Sequence, residues 1–235
     1  MKDLLDRIVG EAQTALGENL LAVVLYGSHA RGEATAKSDV NLIMIIRDQS
    51  AEKLAPLAKL MPAWLKKRVA PPVILQQDQI GRSLDTFSLE FVEMAAARKV
   101  LFGDDPFVNF SPDWAAVRRD LEREARQKRI ALTRRWLAAG GKDAILRALI
   151  TDTVSGYFTL LRGTLMLKRK EILSLTNDAV LTELGGKSWF RQEVWARLRA
   201  VAMGKTKIGG AELQTLMNDY LQQAVALTRR LDELE

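Results

Sequence analysis

The amino-acid sequence predicts an α/β (α+β) protein, with an N-terminal mixed sheet and its helices in residues 1–110 and a C-terminal all-α helical bundle in residues 111–235. Three observations favour this division. Up to about residue 105, short apolar runs rich in β-branched residues alternate with helical patterns. From residue 112 onward, apolar residues recur with the helical period throughout. Between these parts lies Gly103-Asp104-Asp105-Pro106, a composition typical of a turn.

The composition restricts the class of protein. The chain has 235 residues, of which 48% are hydrophobic, enough for two separate cores. It contains no cysteine, which excludes disulfides and thiolate metal sites and, with an N-terminus unlike a signal peptide, favours the cytoplasm. The longest apolar run has about eight residues, whereas a membrane-spanning helix needs about 20, so we expect no membrane partner.

The net charge of +6 falls on the predicted bundle, because acidic and basic residues nearly balance before residue 110. Such a surface suits an anionic partner such as a nucleotide, yet lysines and arginines on solvated helix faces give the same balance. No aromatic-interleaved basic stretch accompanies the charge, which argues against nucleic acid as the partner. The basic excess is also compatible with a homodimer.

The elements of the first part follow from its apolar patterns and its glycines and prolines. In order, they are a helix at 3–16, a strand at 20–26, a second strand beginning at Ser38-Asp39, a helix at 50–68 that Pro56 and Pro62 break or kink, a short strand at 73–75, a connection at 77–83, a strand at 86–94 and a last strand at 98–102. The strand at 86–94 rests on alternation, since Phe87, Leu89 and Phe91 take every second position.

The second part predicts five helices of an antiparallel bundle, separated by glycine-containing turns. They lie at 112–140, 142–170, 177–184, 189–201 and 210–234. Ile130 and Ile145 are among the residues that these patterns assign to the packed face.

The rest of the chain is organised around residues 20–47, in which two apolar runs flank a small-residue turn. Gly27 lets the backbone approach a ligand without a Cβ, and Ser28 can cap a short helix beside an anion. Asp39 and Asn41, two apart on the predicted second strand, share one face. The pattern therefore predicts an anion-binding turn beside a carboxylate and an amide.

These residues resemble the core motif of the nucleotidyltransferase fold of the DNA polymerase β superfamily, which includes the kanamycin-type nucleotidyltransferases. The resemblance implies that the turn holds the phosphates of an NTP and that the following acidic residues hold Mg²⁺. The nucleotide-binding positions that match are Gly27, Ser28, Arg31 and Gly32. Asp39 takes the place of the first aspartate of the Asp-x-Asp metal motif, and Asn41 stands where the second is expected. The chain is also similar to a subset of bacterial proteins that carry Ser-Asp-x-Asn at this place.

A third carboxylate completes the metal site in that superfamily, and the resemblance implies Glu90 in this role, with Glu93 as the second choice. The expected catalytic pair is therefore Asp39 and Glu90, and the expected metal ligands are Asp39, Asn41 and Glu90.

Two hypotheses of function follow from the resemblance. In the first, the protein transfers a nucleoside monophosphate from Mg-NTP to a hydroxyl of an unidentified small molecule or protein acceptor. In the second, it is a pseudoenzyme that acts as a nucleotide-binding or partner-binding regulatory module, because Asn41 lacks the charge of the aspartate. An amide can ligate Mg²⁺, but it contributes no negative charge to the site.

Other residues have alternative interpretations. Arg31 can reach a triphosphate or pair with Glu33 or Asp39 to hold the turn, and the second interpretation is slightly favoured. His29, the chain's only histidine, can touch a ligand or face solvent. Asp152 is a weak candidate for a general base and is more simply a solvated residue of a helix.

Overall fold

The computed structural model describes residues 1–36, 38–76 and 88–234. The chain divides into two compact units, Met1–Asp113 and Trp114–Glu235.

The first unit contains a four-stranded mixed sheet. Its strands are β1 (Leu20–Tyr26), β2 (Asn41–Ile46), β3 (Val73–Gln76) and β4 (Arg98–Gly103), in the order β3-β2-β1-β4. β1 pairs antiparallel with both β2 and β4, whereas β3 joins β2 in parallel. Both central strands are almost wholly buried, which explains why they are continuous apolar runs.

Helices cover the sheet of the first unit. They are α1 (Lys2–Leu16), α2 (Ser28–Arg31), α3 (Ala51–Ala58), α4 (Met61–Leu65) and α5 (Ser88–Ala96), with a 3-10 turn at Gly17–Asn19. The buried face of α1 packs into one core cluster with β1, β2 and Trp64 of α4. The predicted helix at 50–68 is two helices, and Pro62 lies in the first turn of the second, where a proline is tolerated.

The strand predicted at 86–94 is wrong, because Ser88–Ala96 forms helix α5. The buried positions of this helix include Ser88, Phe91, Val92 and Ala95, which recur with helical spacing. The short stretch fits both the two-residue period of a strand and the 3.6-residue period of a helix, and the alternation of its large residues favoured the strand. The connection predicted at 77–83 and the first two residues of the predicted strand lie outside the described residues.

The second unit consists of helices. They are α6 (Trp114–Ala139), α7 (Asp143–Arg169), α8 (Asn177–Leu184), α9 (Gln192–Ala202) and α10 (Gly210–Asp232), close to the predicted bounds. Helix α7 packs against the other four, and Tyr157 of α7 lies in an aromatic cluster with Trp195 and Tyr220. Ile130 and Ile145 are 54% and 46% exposed, so their predicted packing is wrong.

Helix α7 is long and apolar enough to cross a membrane by length and composition alone. Its buried residues, from Leu146 to Leu167, pack against the neighbouring helices. We interpret α7 as the core helix of this unit, since such helices have the same composition.

Candidate functional site

The turn after β1 is built from two glycines and one helical turn. Gly27 and Gly32 both have a φ of +77°, a left-handed conformation that favours glycine, and α2 lies between them. Within the turn, Arg31 N–H donates to Gly27 O at 2.9 Å and Glu33 N–H donates to Ser28 O at 2.9 Å. The helix begins at Ser28 with Gly27 in the capping position, so the predicted capping role of Ser28 is wrong. The Ser28 hydroxyl forms no hydrogen bond with any residue that the structure describes.

Asn41 begins β2 directly beside this turn. It is the register partner of Tyr26, and a Cβ added to Gly27 would lie 3.4 Å from Asn41 Nδ2. The absent side chain of Gly27 therefore leaves room between the turn and the amide of Asn41. Asp39 precedes the strand and is exposed, so it is not part of β2 as the sequence predicted.

Arg31 points into the first unit. Its side chain is 6% exposed, with Nε 3.3 Å from Glu33 Oε2 and Nη2 3.4 Å from Glu93 Oε2. Both carboxylates are nearly buried as well, at 10% and 13% exposure. A guanidinium bridging two carboxylates fixes the turn to helix α5, which supports the structural interpretation of Arg31. It also gives Glu93, the second choice for the third metal carboxylate, a cationic partner.

Asp39 already has a cationic neighbour. Arg68 Nη2 lies 2.9 Å from Asp39 Oδ1, and each side chain is about half exposed. Arg68 is one of two non-glycine residues with a positive φ among those described, at +60°, and its carbonyl accepts from Val40 N–H at 2.8 Å. A left-handed φ is unfavourable for arginine and persists where the surrounding structure imposes it. The sequence carries no signal for this pair, because Arg68 only appears as the end of a helical pattern.

Glu90 lies on α5 and is exposed. It neighbours Tyr26, since burial and then the Glu90 carboxylate raise the pKa of the Tyr26 hydroxyl. Tyr26 and Asn41 are register partners, so Glu90 belongs to the same end of the sheet as the turn. Tyr26 was not among the residues predicted for the site, although it is the last strand residue before Gly27, which was a usable signal.

The acidic residues that the structure describes in this region do not form a multi-carboxylate metal centre. No group of three or more His, Asp or Glu side chains suited to a metal occurs among the residues described by the structure. What the turn offers is the carboxylate of Asp39 and the amide of Asn41. Mg²⁺ is commonly held by one or two carboxylates together with substrate phosphates and water, so this donor set fits one nucleotide-borne ion.

The remaining candidates have structural surroundings. His29 Nε2 lies 3.4 Å from Ser38 O, across the loop that follows α2. The Ser38 hydroxyl accepts from Thr35 N–H at 2.9 Å and so closes that loop. In the second unit, Asp152 pairs with Arg135 at 2.6 Å on the surface, which favours its interpretation as a solvated residue.

The first residue of β4, Arg98, is hydrogen-bonded to Asp105 in the turn that follows the strand. Arg98 Nε and Nη2 donate to both oxygens of Asp105 at 2.9–3.0 Å, and the guanidinium lies over the ring of Phe107. Partial burial raises the pKa of Asp105, but the hydrogen bonds from Arg98 and from Phe107 N–H outweigh it and lower that pKa overall. Arg98 is the register partner of Tyr26, so this clamp braces the sheet end that carries the site.

Comparison with known proteins gives two findings, while no protein-family model matches the chain. Over 48 residues the chain is 33% identical to a Methanocaldococcus jannaschii protein whose name provisionally assigns it to the protein adenylyltransferases. That match covers 20% of this chain and 33% of the length of the relative.

The second finding is structural. The crystal structure of the spectinomycin adenyltransferase AAD(9) from Enterococcus faecialis, with ATP and spectinomycin, is similar with a TM-score of 0.59 and 12% sequence identity. The likeness covers 96% of this chain and 99% of AAD(9). The protein therefore has the nucleotidyltransferase fold, with an N-terminal mixed four-stranded sheet followed by a helical region as in AAD(9).

Proposed function

We propose that this protein transfers a nucleoside monophosphate from Mg-NTP to a hydroxyl of a small molecule or a protein in the cytoplasm. One observation carries the proposal: the turn at Gly27 lies against the side chain of Asn41. Asn41 follows the exposed Asp39 by two residues. A glycine turn and an amide of a type that can ligate a metal thus meet at one end of the sheet. The likeness to a spectinomycin adenyltransferase and to a provisional protein adenylyltransferase supports ATP as the donor.

In the proposed reaction, the acceptor oxygen forms a bond to the α-phosphorus, the bond to the bridging oxygen breaks, and pyrophosphate leaves. Gly27 admits the phosphates to the backbone, and the Ser28 hydroxyl donates to a phosphate oxygen. Asp39 and the carbonyl of Asn41 would hold Mg²⁺, which when bound neutralises charge on the phosphates. Glu90, the exposed carboxylate at this sheet end, would accept the proton of the acceptor hydroxyl.

Arg68 opposes metal binding in this proposal, because its guanidinium occupies Asp39 Oδ1. An exposed pair of this kind contributes up to about 1 kcal/mol, or roughly fivefold in an equilibrium constant. We therefore expect Arg68→Gln to tighten binding of Mg-ATP by about twofold to fivefold. Titration calorimetry measures the change, and Arg68→Lys, which keeps the charge, is the matched control. Weaker binding by Arg68→Gln would instead make Arg68 a ligand of the phosphates.

A second candidate function is a nucleotide-binding or partner-binding pseudoenzyme. It is favoured by the amide at Asn41 together with the ion pair on Asp39. Loss of a metal-binding carboxylate removes several kcal/mol of transition-state stabilisation, which corresponds to roughly a hundredfold to ten-thousandfold in rate.

The decisive experiment separates binding from turnover. Calorimetry with the α,β-methylene analogues of ATP and GTP, with and without Mg²⁺, measures binding, and release of pyrophosphate from ATP in the presence of candidate acceptors measures transfer. We expect metal-dependent binding that Asp39→Ala abolishes and Asp39→Glu partly retains. Pyrophosphate release by the wild type supports the transferase.

The variant Asn41→Asp distinguishes the two candidates further. A gain in transfer by this variant, from a wild type that binds but does not turn over, supports the pseudoenzyme. No binding of either analogue under any condition would refute nucleotide binding and leave only a protein-partner role.

A further inference from the structure

The second unit has a cleft of its own, of about 210 Å³, at the end where α7, α8 and α10 come together. Its walls include the last turn of α7, the end of α8, the segment that follows α8 and the end of α10. None of the residues assigned to the nucleotide site belongs to it.

The cleft is lined by cations. Lys168, Arg169, Lys187 and Arg230 face it, against the single carboxylate of Glu183. Arg169 pairs with Glu183 and Arg230 pairs with Glu233 at 3.2 Å. The ammonium groups of Lys168 and Lys187 have no ion-pair or hydrogen-bond partner within the part of the chain that the structure describes. Two ammonium groups therefore remain available to a ligand.

Helix dipoles explain only part of this charge. Lys168, Arg169 and Arg230 lie in the last turns of α7 and α10, where cations are stabilised by the negative helix end. Lys187 follows α8, and its backbone N–H donates to the carbonyl of Leu184, the last residue of that helix, at 3.2 Å. Because Arg169 and Arg230 are each paired with a carboxylate, the ammonium groups of Lys168 and Lys187 carry the remaining charge of about +2, which the partial negative charges of the helix ends reduce. The cleft therefore favours an anionic ligand.

The rest of the lining is apolar and partly aromatic. Trp189 is half-buried, its ring packs against Phe190 at 5.6 Å, and its carbonyl accepts from Gln223 Nε2 at 3.4 Å. Leu165 and Leu184 are buried residues of the lining. Such a wall suits the flat face of a ring. The volume is below the range of about 300–1,000 Å³ of sites for drug-sized ligands, which selects a small ligand.

We propose that this cleft binds a small phosphate monoester with a flat apolar group, its phosphate between Lys168 and Lys187 and its ring against Trp189. Its lining contains none of the residues assigned to the proposed nucleotide site. Its dimensions and charge favour one ring with one phosphate over a nucleoside triphosphate.

Phenyl phosphate is the probe, with phenol and inorganic phosphate as its two halves. The readout is the indole N–H signal of Trp189 in ¹⁵N-labelled full-length protein, assigned with Trp189→Phe. We expect a saturable shift with phenyl phosphate, at least about tenfold tighter than with either half, because the two contacts add. The double variant Lys168→Gln/Lys187→Gln should weaken binding at least about tenfold, and added salt should weaken it too.

The control is Lys205→Gln/Lys207→Gln, which removes the same charge from two exposed lysines outside the cleft. It should bind phenyl phosphate as the wild type does, and thermal unfolding checks that both double variants are folded. No saturable shift at Trp189 overturns the proposal. Equal weakening in the control, or binding of phenol as tight as that of phenyl phosphate, overturns it as well.

Discussion

Replacing Arg31 by methionine tests whether this arginine holds the turn or binds phosphate. The guanidinium is 6% exposed and lies 3.3–3.4 Å from two carboxylates that are themselves nearly buried. Removing one partner from a buried ion pair costs about 3–5 kcal/mol, because the remaining charge is uncompensated. The distances exceed those of a tight charge-assisted bond, so we expect the lower end, about 3 kcal/mol. For a unit of this size that corresponds to roughly 10 °C in Tm.

The reporter must belong to the first unit, since the two units can unfold separately. Trp64 is suitable, because it is buried there and its indole N–H donates to Glu11 Oε2 at 2.7 Å. Urea unfolding followed by the Trp64 N–H signal measures the loss for Arg31→Met against Arg47→Met. Arg47 is exposed and its side chain donates to Glu18 O, so the loss for this variant should stay below about 1 kcal/mol.

Arg31→Lys keeps the charge without the fork and should lie between the two. A loss below about 1 kcal/mol for Arg31→Met, together with weaker Mg-ATP binding, would refute the structural role and assign Arg31 to the phosphates.

Three further predictions concern stability. Asp105→Asn should destabilise the first unit by about 1–3 kcal/mol at pH 7 by breaking the bidentate bond with Arg98. Because folding lowers the pKa of Asp105, the wild type has this stability above about pH 4 and loses it as pH falls through the lowered pKa, and a pH series of urea unfolding should show a smaller acid dependence for the variant. Gly103→Ala should prevent stable folding of the sheet, since its Cβ would lie 1.9 Å from Leu21 O at a φ of +72°, and circular dichroism with limited proteolysis tests this. Tyr157→Phe should leave the Tm of the second unit unchanged or raise it, because the buried hydroxyl forms no hydrogen bond with a described residue, and a fall of several degrees would contradict this.

Most of the fold could be predicted because its elements carry strong local signals. The buried strands β1 and β2 are largely continuous apolar runs, and helices α6 and α8 end at Gly140-Gly141 and Gly185-Gly186, as predicted. The error at 86–94 arose where the two periods agree over a few residues, so that only packing decides. Ile130 and Ile145 were placed wrongly because period alone does not say how wide the buried face of a helix is.

For the candidate site, sequence pattern located the turn but not the charges around it. Gly27 and Gly32 have positive φ values, and the only indication of this in the sequence is that both residues are glycines. The ion-pair partners of Arg31 and Asp39 could not be predicted. Glu93 and Arg68 are distant from them in sequence, and their positions depend on how α4 and α5 pack. Two of the predicted metal positions, Asn41 and Glu90, belong to the same sheet end as the turn, and their roles stay proposals.

The strand order has a consequence for synthesis of the protein. β1 is one of the two central strands of the sheet, yet its partner β4 is made far later in the chain, after β2, β3 and helices α1 to α5. A nascent chain that has only reached β3 therefore exposes one edge of its central apolar strand. Non-local pairing of this kind slows folding and leaves the open edge available to other chains. We expect truncations before Arg98 to aggregate on the ribosome, whereas chains extended beyond the Arg98–Asp105 clamp can close the sheet.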